Sequence, residues 1–166
     1  MSAINYQMIS NKNLKSKLEK SKESIYEDCS FLILDVVVNT ESKEYNACEF
    51  TLNGMKVISR NAKTTPNKNG QFVTFWKRNN NGIIEPFDSN EGIDFFVINV
   101  SKEKRIGQFV IPKSVLVEKK IISIDKIEGK RGFRVYPNWD TPGSKQAKKT
   151  QQWQSNILLS LIVILT

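Results

Sequence analysis

The stretch "NACEFTLNGMKVISRNA", Asn46–Ala62, is where the fold first declares itself. Asn53-Gly54 stands between two runs of alternating character, and that dipeptide suits a type I′ turn, which needs positive φ at both central residues. The spacing predicts a hairpin in which Leu52 and Met55 face each other across the turn. On the first strand Cys48, Phe50 and Leu52 share one face, with Glu49 and Thr51 on the other. On the return strand Met55, Val57, Ser59 and Asn61 alternate against Lys56, Ile58, Arg60 and Ala62.

Downstream of the hairpin, the turn-rich "TTPNKNG" leads into a third strand, "QFVTFWKR". Phe72, Thr74, Trp76 and Arg78 point one way and Val73, Phe75 and Lys77 the other, so each face carries a ring and a cation. "NNNG" reads as a loop. "GIDFFVINV" is apolar on both faces, the mark of a central strand covered on each side. "GQFVIP" and "RGFRVYP" are further strands, the second ended by Pro137, and Ser144 is placed to cap a helix from Lys145 onward.

Upstream, Asn11–Glu27 sets Leu14, Leu18, Ile25 and Tyr26 at helical spacing, and "FLILDVVV", Phe31–Val38, fits a buried strand or another core segment. The apolar end, "NILLSLIVILT", is about half the length of a membrane-spanning helix and reads as a terminal core strand or helix. These elements predict an α+β protein, one domain over residues 1–166 with a mixed, largely antiparallel sheet flanked by helices. Its parts would be an N-terminal helix over 11–27, a core over 31–154 and an apolar tail over 155–166.

The net charge of +8 is concentrated. Arg60–Arg78 holds five cations and no acid, and Gly129–Trp153 holds six cations and one acid, which leaves the rest of the chain at −2. There is no histidine, so Ser-His-Asp triads, Cys-His dyads and His-containing zinc sites are excluded. Cys29 and Cys48 lack CxxC spacing and read as buried, reduced thiols of a cytoplasmic protein. The N-terminus has no apolar core of a secretory signal, and no cofactor or metal is called for.

Polynucleotides offer a line of phosphates that attracts lysine and arginine, and flat bases that stack on rings or guanidinium planes. In the first basic segment, Arg60 on a strand, Lys63 and Lys68 in the adjoining loop and Arg78 near the strand end would bracket a groove floored by Trp76. The second repeats the mixture with Lys130, Arg131, Arg134 and Trp139, and Gln152 adds an amide suited to phosphates or base edges. Either ring cluster taken alone would equally serve as ordinary core. The two together favour a nucleic-acid partner, DNA or RNA, met mostly through its backbone.

Cleavage would need more. A nuclease of the PD-(D/E)xK type uses carboxylates to hold Mg²⁺ and a lysine to orient water. Acid-x-Lys occurs three times, at Glu41-Ser42-Lys43, Glu118-Lys119-Lys120 and Glu128-Gly129-Lys130, against about two expected by chance from this composition. A constellation of Glu49, Asp94 and Lys77 is the remaining catalytic candidate, yet Phe75 stands where an acid would precede Lys77. P-loop, GxGxxG and GxSxG motifs are absent.

"RNAKTTPNKNGQFVTFWKR", "DFFVI", "GQFVIP" and "GKRGFRVYPNWD…TQQWQ" together resemble the MepB family, bacterial cytosolic proteins named for a gene beside a multidrug efflux pump and its repressor. The likeness runs roughly from Tyr45 to Gln154. It implies a compact α+β protein, similar to nucleic-acid-binding folds including the restriction-endonuclease-like ones, without a complete catalytic signature. It also implies that Arg60, Lys63, Lys68, Arg78, Lys130, Arg131, Arg134 and Gln152 occupy the family's characteristic positions. The expectation is a nucleic-acid-binding protein of little sequence specificity. Its alternatives are a module for a small anionic ligand or a protein partner, and a metal-dependent nuclease.

Overall fold

The computed structural model describes residues 33–162, so the helix expected over 11–27 lies outside the described residues. The described residues belong to one compact unit. Six strands make the main sheet: β1 (Ile33–Val38), β2 (Cys48–Leu52), β3 (Met55–Asn61), β8 (Phe95–Lys102), β9 (Arg105–Pro112) and β11 (Leu158–Ile162), in that spatial order. β3 and β8 run parallel, and the other neighbours are antiparallel. The fold is therefore α+β with a mixed, mostly antiparallel sheet. The hairpin forms where Asn53-Gly54 predicts it, with φ of 49° and 81°, and Leu52 pairs Met55.

Parallel neighbours need a long crossover, because the chain must return to the starting edge before running the same way again. Here the crossover between β3 and β8 is itself made of strands: β4 (Lys63–Thr65), β5 (Lys68–Thr74), β6 (Trp76–Arg78) and β7 (Ile84–Pro86). β5 lies between β4 and β10 (Gly132–Val135) in a three-stranded antiparallel sheet, while β6 and β7 form a separate ribbon. The expected third strand thus breaks at Phe75 and does not extend the first hairpin. "TTPNKNG" corrects in the same way: it is the end of β4, a tight turn and the start of β5, so Lys63 and Lys68 stand on strands and not in a loop.

Rings join the two sheets. Phe75 stacks on Phe96 of β8 at 4.0 Å between centroids and tilts against Phe87 at 4.6 Å, while Phe133 of β10 meets Phe96 edge-on at 6.2 Å. Phe75 and Phe96 are fully buried, and each such ring contributes roughly 1.5–3 kcal/mol by leaving water. β8 is central, as its two-sided apolar pattern requires.

Two helices complete the unit: α1 (Lys113–Glu118), a single turn and a half that the strand-like reading of "GQFVIP" gave no sign of, and α2 (Lys145–Ser155). Ser144 caps α2, its Oγ accepting from the Ala147 amide at 3.1 Å. The apolar end supplies the edge strand β11, paired with β9.

Candidate nucleic-acid interface

Parts of the two basic segments, some sixty residues apart in sequence, lie side by side as β5 and β10. Their register sets Phe72 opposite Arg134, and on the other flank of β5 Lys63 stands opposite Phe72. Residues opposite one another in a ladder share a face, so Lys63, Phe72 and Arg134 make one cation–ring–cation row across the small sheet. The Arg134 guanidinium sits 6.0 Å from the Phe72 centroid, and Lys63 lies 4.8 Å over Tyr45, which itself meets Phe72 edge-on. The row needs glycine at two places. A Cβ on Gly132 would stand 2.6 Å from the Phe72 ring, and one on Gly70, whose φ is +74°, would stand 2.6 Å from Tyr136.

Each cation has its own situation. Arg134 donates to the carbonyls of Asn69 and Gly70 and to the Thr65 hydroxyl, so its donors are engaged, and among the described residues its charge has no carboxylate partner. Arg131 pairs with Glu128 at 2.7 Å. Arg78 pairs with Glu41 at 2.9 Å, donates to the Gly82 carbonyl, and rides 5.5 Å from the Trp76 ring. Lys63, Lys68 and Lys130 are exposed and form no ion pair among the described residues. Gln152 is likewise exposed on α2.

Arg60 is a different case: it is 2% exposed and belongs to the interior. Its Nη2 donates to the Trp76 carbonyl at 3.5 Å, whereas Nε and Nη1 have no partner. Burial pushes its pKa down, opposed by the fields of Cys48, Glu49 and Glu41. It cannot bracket a groove from there. The signal was in the alternation, which puts Arg60 on the same face as the core residue Ile58. Trp139 is also partly buried against the core, with its Nε1 enclosed and unpartnered.

The catalytic candidates are held by other groups. Glu49 takes Lys56 Nζ at 3.4 Å and the Asn39 amide, and Asp94 accepts from the Lys56 backbone N–H at 2.8 Å. Lys77 bridges Glu85 at 2.9 Å and Glu91 at 3.2 Å on the β6–β7 side. The bond to Glu85 raises the Lys77 pKa and lowers that of Glu85. Among the described residues no group of three or more His, Cys, Asp and Glu side chains gathers where a metal would be held.

Two clefts border the small sheet. One, of about 350 Å³, lies between β10 and α2 and the turn after α1; Lys119, Lys130, Arg134, Phe133, Tyr136 and Trp153 line it, and none of its lining residues is acidic. Lys119 sits 5.5 Å over the Trp153 ring and also pairs with Glu118 at 2.8 Å. The other, of about 730 Å³, holds Lys68, Lys102, Trp139 and Asp140, and there Lys102 is neutralised by Asp140 at 2.9 Å. Lys119 and Trp153 were missed as site residues by the sequence reading. Lys119 lies outside both basic segments, beside an acid that cancels it in any charge count.

No helix among the described residues is long and apolar enough to cross a membrane. No curated protein matches the chain. A family model described as MepB-like matches residues 39–160. A solved structure, "Crystal Structure of MepB", is similar at 34% identity with a TM-score of 0.76, over 88% of this chain and 96% of that one. The same strands and helix that carry the basic row and its cleft fall within the matched region, and the chain belongs to the MepB-like family.

Proposed function

We propose that the protein binds nucleic acid, DNA or RNA, through backbone phosphates and with little reading of sequence. The observation that carries this reading is the pairing of β5 with β10, which brings part of each basic segment onto one small sheet, with Phe72 between Lys63 and Arg134. Lys63, Lys68 and Lys130, which form no ion pair among the described residues, supply mobile charge for phosphates, and Lys130 lines the cleft whose lining holds no acid. With the reading go a cytoplasmic location and the association with a multidrug efflux operon that the family resemblance implies.

Fluorescence anisotropy of a labelled oligonucleotide, titrated over a range of salt, tests it. Log affinity should fall steeply with log salt, and Lys68→Ala and Lys130→Ala should each flatten the slope by about one unit. A salt-insensitive isotherm, or no binding at low salt, overturns it. A small anionic ligand is the second reading, favoured by the volume of the β10–α2 cleft, which lies at the small end of ligand-sized pockets.

A further inference from the structure

We infer that the β10–α2 cleft takes one unpaired nucleotide of a single strand, so that the protein prefers single-stranded to duplex nucleic acid; this rests on the nucleic-acid reading above. The cleft joins two chemistries that a duplex does not offer together. Its lining includes the rings of Phe133, Tyr136 and Trp153 together with Lys119, Lys130 and Arg134, the last with its guanidinium donating to Asn69, Gly70 and Thr65. A duplex stacks its base faces against one another and shows a concave protein surface only phosphates and groove edges, whereas a strand with splayed bases can put one base among rings while its phosphates remain on the cations.

The contrast with the second cleft sharpens the assignment. There Asp140 is itself part of the lining and pairs with Lys102, and the Trp139 Nε1 is enclosed. No carboxylate lines the β10–α2 cleft: Lys119 pairs with Glu118 outside the lining, Lys130 forms no ion pair among the described residues, and α2 presents Gln146 and Thr150, whose polar ends suit base edges. Gln154 is fixed behind them: its amide donates to the Arg134 carbonyl at 3.1 Å and accepts from the Tyr136 N–H at 2.8 Å, which holds α2 at a set distance from β10.

Anisotropy with one labelled twelve-mer, presented as a single strand, annealed to its complement, and with abasic residues replacing its bases, decides the matter, with adenosine monophosphate as competitor. The single strand should bind at least ~10-fold more tightly than the duplex at equal salt, and the abasic strand should lose ~5- to 150-fold, the range for one stacked base. Trp153→Ala should abolish the preference while leaving the salt slope unchanged. Because Trp153 also packs on the core, Gln146→Glu serves as the second variant: it is exposed, in the first turn of α2 where an acid suits the helix, and it puts a carboxylate into the cleft. It should weaken the single strand several-fold more than the duplex. Equal affinity for strand and duplex with no effect of abasic residues overturns the inference, while a steep salt slope in that same experiment keeps the broader reading. Displacement by adenosine monophosphate at concentrations no higher than those of the twelve-mer overturns the strand in favour of a free nucleotide.

Discussion

The main sheet and the small sheet it supports solve opposite problems. β3, β8 and β9 bury side chains on the core face, and Ile58, Phe96, Ile98, Phe109 and Ile111 are inaccessible there. β4, β5 and β10 bury one face only, through Gln71, Val73 and Val135, and on the other hold Lys63, Phe72 and Arg134 at the surface. An antiparallel sheet with one wet face tolerates such a row, whereas a strand covered on both faces does not. Charge in this family member is thus displayed on a platform inserted into a crossover, and stability is supplied by the sheet beneath.

The sharpest way to break that division is at the ring joining the two sheets. Phe75→Ala should lower stability by ~3–5 kcal/mol, the range for a fully buried phenylalanine, read as a fall in the denaturant midpoint. Equal loss of stability and of nucleic-acid affinity would show that the platform depends on its support.

Next in size is a pH effect confined to the main sheet. Burial holds the Cys48 thiol at a pKa of about 11, above its ordinary 9.0. The neutral thiol is the form the fold accepts, so stability is unaffected below pH 9 and falls as pH rises toward 11, by about 2–3 kcal/mol in all. Cys48→Ala should remove that component from the difference between urea midpoints at pH 9 and pH 11. Arg60→Met should run the other way, raising stability by ~1–2 kcal/mol, because a buried guanidinium with two unpartnered nitrogens gives way to an apolar chain of similar reach. Smallest of all, Lys63→Ala and Lys68→Ala should change stability by no more than about 0.5 kcal/mol, since both are exposed on the platform and make no ion pair among the described residues.

Much of the fold was legible because its signals are local. Asn53-Gly54 dictates a turn through its own stereochemistry, Ser144 caps α2 through an amide three residues on, and the two-sided apolar run of β8 states its central place. The register of β5 against β10 is not local: nothing in "QFVTFWKR" says that its partner lies sixty residues away rather than in the hairpin just completed. The site was half legible for the same reason. Composition pointed to the basic segments, and alternation along β3 could have withdrawn Arg60 from them. Finding Lys119 and Trp153 required knowing that the turn after α1 and the last turn of α2 meet across β10.

The side chain of Gln154 behaves as a one-residue substitute for a neighbouring strand, since it satisfies a carbonyl and an N–H on the outer margin of β10. An unguarded margin of that kind invites copies of a protein to zip together into ribbons. With a helix residue occupying the place where a foreign backbone would dock, that margin of the three-stranded sheet has its Arg134 carbonyl and Tyr136 N–H already taken.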